Sequence, residues 1–162
     1  LGELGGPTGY LVNVLLEDDD TIRARLKEAG LVLLPDNVDP EVLRSALMGA
    51  AVEAILDAFE RGAVVLAEGV SAALLGELLV LDNGAEVPGL GWVEDTAIVP
   101  AVTSLAQSAG ARFMLSAHRV GKVIGIGVGS ALVLGPGGHI EAWGQREVTV
   151  ALSGSEAGLD KQ

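Results

Sequence analysis

Ser71 stands at the point where an apolar run meets a turn of small residues. The run Ala63–Ala67 has the composition of a buried strand, Gly69 marks the turn, and a helix-like run follows the serine. Hydrolases with an α/β fold present a nucleophilic serine at a sharp strand-to-helix turn of this kind. Small neighbours such as Ala72 permit the turn, and the free N–H groups of the helix can stabilise an oxyanion. The segment predicts a nucleophile position at Ser71 with Ala72 in the binding site, although a serine at a helix start is also a common N-cap.

A serine nucleophile needs a general base, and the chain has 2 histidines. His118 precedes Arg119 at an expected helix end, where a basic group also complements the helix dipole. His139 lies in a glycine-rich turn, where we expect it to be solvated. His118 is therefore the better candidate for a base.

The glycines at 125, 127 and 129 are spaced like a dinucleotide-binding loop. Such a loop must open a helix, whereas a strand and a Gly-Pro-Gly-Gly turn are expected to follow here. The glycines therefore indicate close backbone packing in a strand. With 2 histidines, 0 cysteines and no acidic cluster at metal-ligand spacing, we expect neither a metal nor a cofactor.

Composition and charge limit the partners of the chain. Its 162 residues are 49% hydrophobic and 3% aromatic, so the core must consist of Ala, Val, Leu and Ile. The net charge of −12 argues against nucleic acid or an anionic membrane as a partner. The apolar stretch Ala63–Leu81 carries Glu68 and Glu77, which disfavours a membrane span. A small molecule or a peptide remains as the expected ligand.

The first residues of the chain bear on the cellular location and on the oligomeric state that we expect. It begins at Leu1 rather than Met, which we interpret as a trimmed fragment of a longer reading frame. No basic segment precedes an apolar one, so the sequence predicts no signal peptide and a cytoplasmic protein. A missing first strand would leave a sheet edge open, and an open edge favours a homodimer.

Apolar runs alternate with helical patterns through the first half of the chain, as in a mostly parallel sheet with helices on both faces. The predicted strands are Tyr10–Leu16, Leu31–Leu34 and Ala63–Ala67, and the predicted helices are Thr21–Ala29, Glu41–Glu60 and about two turns after Ser71. The tail predicts antiparallel hairpins from Val123–Val128, Ser130–Leu134, Ile140–Trp143 and Glu147–Leu152. The fold class is therefore α/β with a C-terminal antiparallel hairpin extension. We expect one domain over residues 1–153 and a frayed tail over 154–162.

Ligands of such sheets bind at the carboxyl ends of the strands. Asp36 and Asn37 follow the strand Leu31–Leu34, and Trp92 lies in a glycine-containing loop after the Ser71 segment. These side chains are the predicted ligand contacts around Ser71.

The order of several motifs resembles one peptidase family. The segments that carry it are Ala29–Leu34, Ala54–Leu75, Pro88–Trp92, Ile124–Val133 and Ile140–Val150. They resemble, in sequence order, the segments of the cyanophycinase and aspartyl dipeptidase family of serine peptidases. The resemblance runs from about Arg25 to Val150 and implies a flavodoxin-like, class I glutamine amidotransferase-like fold. It places Ser71 at the nucleophile of the family's Gly-Thr-Ser-Ala-Gly-Ala elbow.

The chain departs from that family at the partners of the serine. Asp36–Asp39 stands where the family has Gly-Gly-Asp-Gln, and Ala73 replaces the last elbow glycine. Ala101 stands where the family places its catalytic histidine, and Val128-Gly129 replaces an Asp-Glu pair. An unassisted serine is a poor nucleophile at neutral pH.

Three hypotheses follow. The first is a catalytically degenerate, cyanophycinase-like protein in a binding or assembly role. The second is an active serine peptidase or hydrolase that uses Ser71 with a relocated base, His118. The third is a purely structural subunit, which would expose an apolar patch.

Overall fold

A computed structural model describes residues 9–36 and 39–154. That part of the chain forms two compact units, one of residues 9–34 and 42–66 and one of residues 35–36, 39–41 and 67–154. The single domain expected over residues 1–153 stays a prediction. All of the expected tail except Gly154 lies outside the described residues, as does Asn37.

Helices and strands alternate in the first half and strands dominate the second. The helices are α1 (Asp19–Lys27), α2 (Pro40–Leu47), α3 (Ala50–Glu60), α4 (Val70–Leu74) and α5 (Ala109–Ser116), with 3-10 turns at Leu105–Gln107 and Pro136–Gly138. The strands are β1 (Leu31–Leu34), β2 (Val64–Ala67), β3 (Leu78–Val80), β4 (Glu86–Pro88), β5 (Thr96–Pro100), β6 (Lys122–Ile126), β7 (Ser130–Leu134), β8 (Ile140–Gly144) and β9 (Val148–Leu152).

The first unit pairs β1 with β2 and packs α1 on α3. Asp18 caps α1, because its carboxylate accepts from the backbone N–H of Thr21 at 2.9 Å. This hydrogen bond holds the pKa of Asp18 below its usual value. The buried residues of the two helices are small or aliphatic (Ile22, Leu26, Ala50, Ala51, Ala54, Ile55, Ala58), as expected for a chain with so few aromatic residues.

Two elements of this unit differ from the prediction. Tyr10–Leu16 is not a strand: residues 14–16 form a turn, in which the Asn13 side chain accepts from the Leu15 N–H at 3.1 Å and its carbonyl accepts from Leu16. An asparagine that bonds the following backbone competes with strand pairing. The single helix Glu41–Glu60 is two helices, because Gly49 has a φ of 95°, outside the helical region.

The second unit contains a three-stranded sheet in the order β5-β6-β9. β5 and β6 are parallel, with Ile98 opposite Ile124, while β6 and β9 are antiparallel, with Ile124 opposite Val150. The core under this sheet consists of buried residues from β5, β6, α5 and the turns beside α5 (Ala97, Leu105, Ala111, Met114, Val120, Val123). β3 and β4 form a separate antiparallel pair.

A long antiparallel ribbon extends beyond this sheet. β6 pairs with β9 and β7 pairs with β8, and the pairing keeps one register from Lys122↔Leu152 to Leu134↔Ile140. Between the two ladders, the Gly127 N–H donates to the Glu147 carbonyl at 2.7 Å and the Gln145 N–H donates to the Gly129 carbonyl at 3.0 Å. The ribbon is therefore continuous, and its distal half, residues 130–144, is a two-stranded projection that we call the hairpin arm.

The chain is a mixed α/β protein with small sheets of both parallel and antiparallel strands. The C-terminal hairpins lie where the sequence predicts them. The strand pairs of the second unit do not confirm the mostly parallel sheet that the sequence also predicts. Of the four strand pairs β3-β4, β5-β6, β6-β9 and β7-β8, only β5-β6 is parallel. Among the described residues, no helix has the length and apolarity needed to cross a membrane.

Candidate functional site: the Ser71 elbow

A sharp turn joins β2 to α4. Gly69 has φ 53° and ψ −125°, a conformation that residues with a Cβ rarely adopt. A Cβ at this position would also overlap the carboxylate of Asp36. The backbone angle therefore favours glycine at position 69, a side chain there would displace the Asp36 carboxylate, and the predicted strand-to-helix elbow is present.

Ser71 is buried, with 1% of its surface exposed. Its hydroxyl donates a hydrogen bond of 2.8 Å to the backbone carbonyl of Pro35. The hydroxyl proton is therefore directed to a main-chain acceptor that cannot serve as a general base. In this geometry Ser71 ties α4 to the segment that follows β1.

Asp36 lies across the start of α4. Its Oδ1 accepts from the Val70 N–H at 2.9 Å, so the carboxylate satisfies the first amide of the helix and complements its positive end. Asp36 was predicted as a ligand contact, and the structure does bring it beside Ser71. Its position there is that of a helix cap.

The next amides of α4 have partners as well. The N–H groups of Ser71 and Ala72 point to the Glu68 carbonyl at 3.0 and 3.4 Å, and the Ala73 N–H donates to the Gly69 carbonyl at 3.1 Å. An oxyanion hole needs backbone donors that point to the reacting atom. The N–H groups of Ser71, Ala72 and Ala73 are therefore engaged within the turn, and the one at Ala72 has the longest contact.

Trp92 lies at the other end of α4. Its neighbours bond the carbonyls at the carboxyl end of the helix: the Leu90 N–H donates to Leu74 at 2.7 Å, and the Val93 N–H donates to Leu75 at 2.9 Å. Trp92 itself is half-buried. Ser71 and Asp36 thus lie together at the amino end of α4, while the loop that carries Trp92 covers its carboxyl end.

The two histidines lie in exposed turns. His118 follows α5 in a left-handed conformation, φ 50°, and its backbone N–H donates to the Leu115 carbonyl at 3.2 Å. The His139 Nε2 lies 2.7 Å from the Glu141 carboxylate, which also accepts from the Trp143 indole at 2.6 Å. The hydrogen bonds from Trp143 and then His139 hold the pKa of Glu141 below its usual value. Neither histidine forms a hydrogen bond with Ser71 in the part of the chain that the structure describes.

Ala101, at the position where the family resemblance expects a histidine, directly follows β5. It is exposed and has a φ of 53°. A methyl group can neither accept a proton nor orient a base, so position 101 supplies no catalytic group.

An apolar cavity of about 290 Å³ lies beside α4. It was not predicted from the sequence, because its walls come from separate elements: Val70 and Ala73 of α4, the carboxyl ends of β3 and β5, and α5. Only one side chain in the lining, Asp82, is ionisable, and it is exposed. The cavity can therefore accommodate an apolar group, with the Asp82 carboxylate as the sole ionisable group of its lining.

Of the glycines at 125, 127 and 129, Gly125 lies in β6 and has a packing role. A Cβ on Gly125 would lie 2.8 Å from the side chain of Val102 and 2.9 Å from that of Leu105. β7, not a helix, follows these glycines, so they do not form a phosphate-binding loop. Among the residues that the structure describes, no group of three or more His, Cys, Asp or Glu side chains could hold a metal ion.

The backbone fold is similar to that of a solved peptidase from an acI-B1 Actinobacterium. The TM-score is 0.67 at 19% sequence identity, and the match covers 84% of this chain and 58% of the peptidase. The chain thus spans little more than half the length of that structure. At this identity the similarity concerns the fold. No protein-family model matches the sequence, and no curated protein matches it.

Proposed function

We propose that this chain is a non-catalytic, cyanophycinase-like serine peptidase homologue in a binding or assembly role. The fold similarity to a solved peptidase supports the peptidase part of the proposal. The order of the sequence motifs supports the narrower family. The proposal includes the mostly parallel, flavodoxin-like sheet of that family. The parallel pairing of β5 with β6 supports this part of it.

The observation that carries the proposal is the hydrogen bond from Ser71 to Pro35. A serine nucleophile transfers its proton to a base as it attacks. Here the hydroxyl is buried and donates to a peptide carbonyl at 2.8 Å, an acceptor that is far too weakly basic to take the proton. Attack by Ser71 would require breaking this bond and exposing the side chain before any chemistry begins.

The groups around Ser71 also support a non-catalytic role for this serine. Asp36 places a carboxylate at the start of α4, 2.9 Å from the Val70 nitrogen. A negative charge at this point opposes the formation of an oxyanion nearby. The alternative of an active hydrolase requires His118 to approach Ser71, but His118 lies in an exposed turn after α5.

Peptide hydrolysis tests the catalytic part of the proposal. Purified protein would be incubated with aspartyl dipeptides and with a mixed peptide pool, and the products would be measured by mass spectrometry. We expect no cleavage above the level of the buffer, and no difference between the wild type and Ser71→Ala. Cleavage that disappears in Ser71→Ala would establish an active serine peptidase and refute the proposal.

The binding role centres on the cavity beside α4. Its volume of about 290 Å³ is near the lower limit for small-molecule sites, and its largely apolar lining suits the apolar part of a small molecule or a peptide side chain. The proposed cytoplasmic location rests on the sequence alone.

A neutral fluorescent probe, N-phenyl-1-naphthylamine, tests whether the cavity takes an apolar group. Val70 lines the cavity, so Val70→Phe should reduce the probe's fluorescence on binding. Val128 is 74% exposed and is not part of the lining, so Val128→Phe is a matched control that should leave the signal unchanged. Equal signals from both variants and the wild type would remove the cavity from the proposal.

A further inference from the structure

A short turn joins β3 to β4, and it carries Asn83 followed directly by Gly84. The Leu81 N–H donates to the Ala85 carbonyl at 2.9 Å, so the turn proper is Asp82, Asn83 and Gly84. Gly84 has a φ of 83°, and a left-handed residue at this place is typical of three-residue hairpin turns. All three turn residues are exposed. Solvent therefore reaches both the Asn83 side chain and the backbone nitrogen that follows it.

The side-chain amide of an asparagine can react with the backbone nitrogen of the next residue, because the two groups are held close together. Solvent base takes the proton of the Gly84 amide, and the Gly84 nitrogen attacks the Cγ of Asn83. The N–Cγ bond forms, the Cγ–Nδ2 bond breaks, and Nδ2 takes a proton from solvent and leaves as ammonia, so that a cyclic imide remains. Water then opens the imide. Addition of water at Cγ gives an aspartate, and addition at the main-chain carbon gives an isoaspartate, in which the peptide bond runs through Cγ.

Two features of this turn favour the attack. Gly84 has no side chain, and a Cβ placed on it would meet nothing within 4 Å beyond its chain neighbours, so the residue that supplies the nitrogen is uncrowded. The Oδ1 of Asn83 accepts from the Ala85 N–H at 2.9 Å. Negative charge develops on this oxygen when Cγ is attacked, so the Ala85 N–H is a preorganised donor to the developing oxyanion.

One hydrogen bond opposes the attack. The Gly84 N–H, which must lose its proton, donates to the Leu81 carbonyl at 2.8 Å. The turn is exposed, and exposed turns open locally at little cost in free energy. The bond therefore slows the reaction without preventing it.

The sequence contexts of Asn13 and Asn37 differ from that of Asn83. Asn13 precedes Val14, and Asn37 precedes Val38. The branched Cβ of a valine is bulky and stiff, so it crowds the nitrogen that would attack. These two asparagines therefore serve as slow internal references for Asn83.

We propose that Asn83 is a site of spontaneous covalent modification in the folded protein, where it converts through the cyclic imide to aspartate and isoaspartate. Water is the only co-reactant. The proposal is independent of the reactivity of Ser71 and of the proposed binding role.

The modification should change the turn beyond the added charge. An isoaspartate lengthens the backbone by one methylene group, so the bonds from Leu81 to Ala85 and from Gly84 to Leu81 cannot both keep their geometry. Leu81 and Asp82 also line the cavity beside α4. Conversion of Asn83 should therefore loosen the end of the β3-β4 hairpin and the border of that cavity.

Peptide mapping of aged protein tests the proposal. The native protein would be incubated at mildly alkaline pH and sampled over time, and each sample would be digested with trypsin. The peptides 62–112, 1–23 and 28–44 carry Asn83, Asn13 and Asn37 separately, and liquid chromatography with mass spectrometry resolves their asparagine, aspartate and isoaspartate forms. We expect conversion at Asn83 to be at least about tenfold faster than at the two asparagines that precede valine. Its rate should rise with pH, because the deprotonated nitrogen attacks.

Two variants separate the chemistry from its effect on the turn. Asn83→Gln would have to form a larger ring, so position 83 should stay unmodified and the Tm should not change on ageing. Asn83→Asp adds the charge without the methylene group. Aged wild-type protein should therefore have a lower Tm than freshly prepared Asn83→Asp.

Three results would overturn the proposal. The first is conversion at Asn83 in urea but not in the native protein, which would show that the turn protects the residue. The second is conversion of Asn13 in the native protein as fast as that of Asn83. The third is an extensively converted wild type with the Tm of fresh protein, which would refute the effect on the turn.

Discussion

The substitution Ser71→Ala separates a structural serine from a catalytic one by its effect on stability. It removes the hydroxyl that donates to the Pro35 carbonyl at 2.8 Å from a side chain that is 1% exposed. A hydrogen bond of this kind contributes about 0.5–1.5 kcal/mol to the free energy of unfolding. The carbonyl belongs to an exposed residue, so water can replace part of the lost bond. The expected loss is therefore about 1 kcal/mol.

Ser116→Ala is the matched control. Ser116 also lies in a helix and bonds a backbone carbonyl, that of Phe113 at 3.2 Å, but it is exposed. Both substitutions gain the same helix propensity, about 0.5 kcal/mol, so the difference between them isolates the buried hydrogen bond. The control should stay within about 0.5 kcal/mol of the wild type.

Urea unfolding followed by circular dichroism measures the difference. We expect the midpoint of Ser71→Ala to fall about 0.5 M below that of Ser116→Ala, and its Tm to fall by about 2–4 °C. Residues kept for chemistry are often neutral or costly for stability. A Ser71→Ala variant that is as stable as Ser116→Ala, or more stable, would refute the assignment of Ser71 as a structural donor.

Three further substitutions test the packing and the caps. Gly69→Ala should lower the Tm more than Gly62→Ala, because both glycines have positive φ but only Gly69 would also overlap Asp36; equal Tm values would exclude the close approach. Gly125→Ala should cost about 1–3 kcal/mol in urea unfolding, because the added Cβ meets side chains 2.8–2.9 Å away, and an unchanged midpoint would contradict this packing. Asp18 has a lowered pKa, so the stability that it contributes is present above its ordinary pKa of 3.8 and is lost as the pH falls through the folded-state value. Asp18→Asn should therefore flatten the loss of stability below about pH 4, and an unchanged pH profile would refute the cap.

The sequence predicts the elements with strong local signals and misses those that depend on distant contacts. Leu31–Leu34 and the strands of the hairpin arm are present as expected, since continuous apolar runs and glycine turns mark them. Tyr10–Leu16 has the composition of a strand, but none of the described strands pairs with it. Without a partner the backbone forms the local bonds that Asn13 offers. One break within the predicted Glu41–Glu60 helix depends on the φ of Gly49, which composition does not reveal.

The candidate site was predictable only where it depends on residues that directly follow a strand. Asp36 and Ser71 follow separate strands, so the rule for the carboxyl ends of strands places them together, and they do lie together. The acceptor of the Ser71 hydroxyl is a backbone carbonyl, and backbone groups leave no mark in a sequence. The position of Trp92 depends on backbone bonds from its loop to residues 74–76 at the far end of α4. Those bonds likewise carry no signature in the side chains.

Labelling with a fluorophosphonate probe tests the central claim most directly, because the probe reacts only with activated serines. Folded wild-type protein would be treated beside Ser71→Ala and an active serine hydrolase as the positive control. If Ser71 is a structural hydrogen-bond donor, the wild type should remain unlabelled under conditions that label the control fully. Labelling of the wild type that vanishes in Ser71→Ala would show an activated nucleophile and contradict the account.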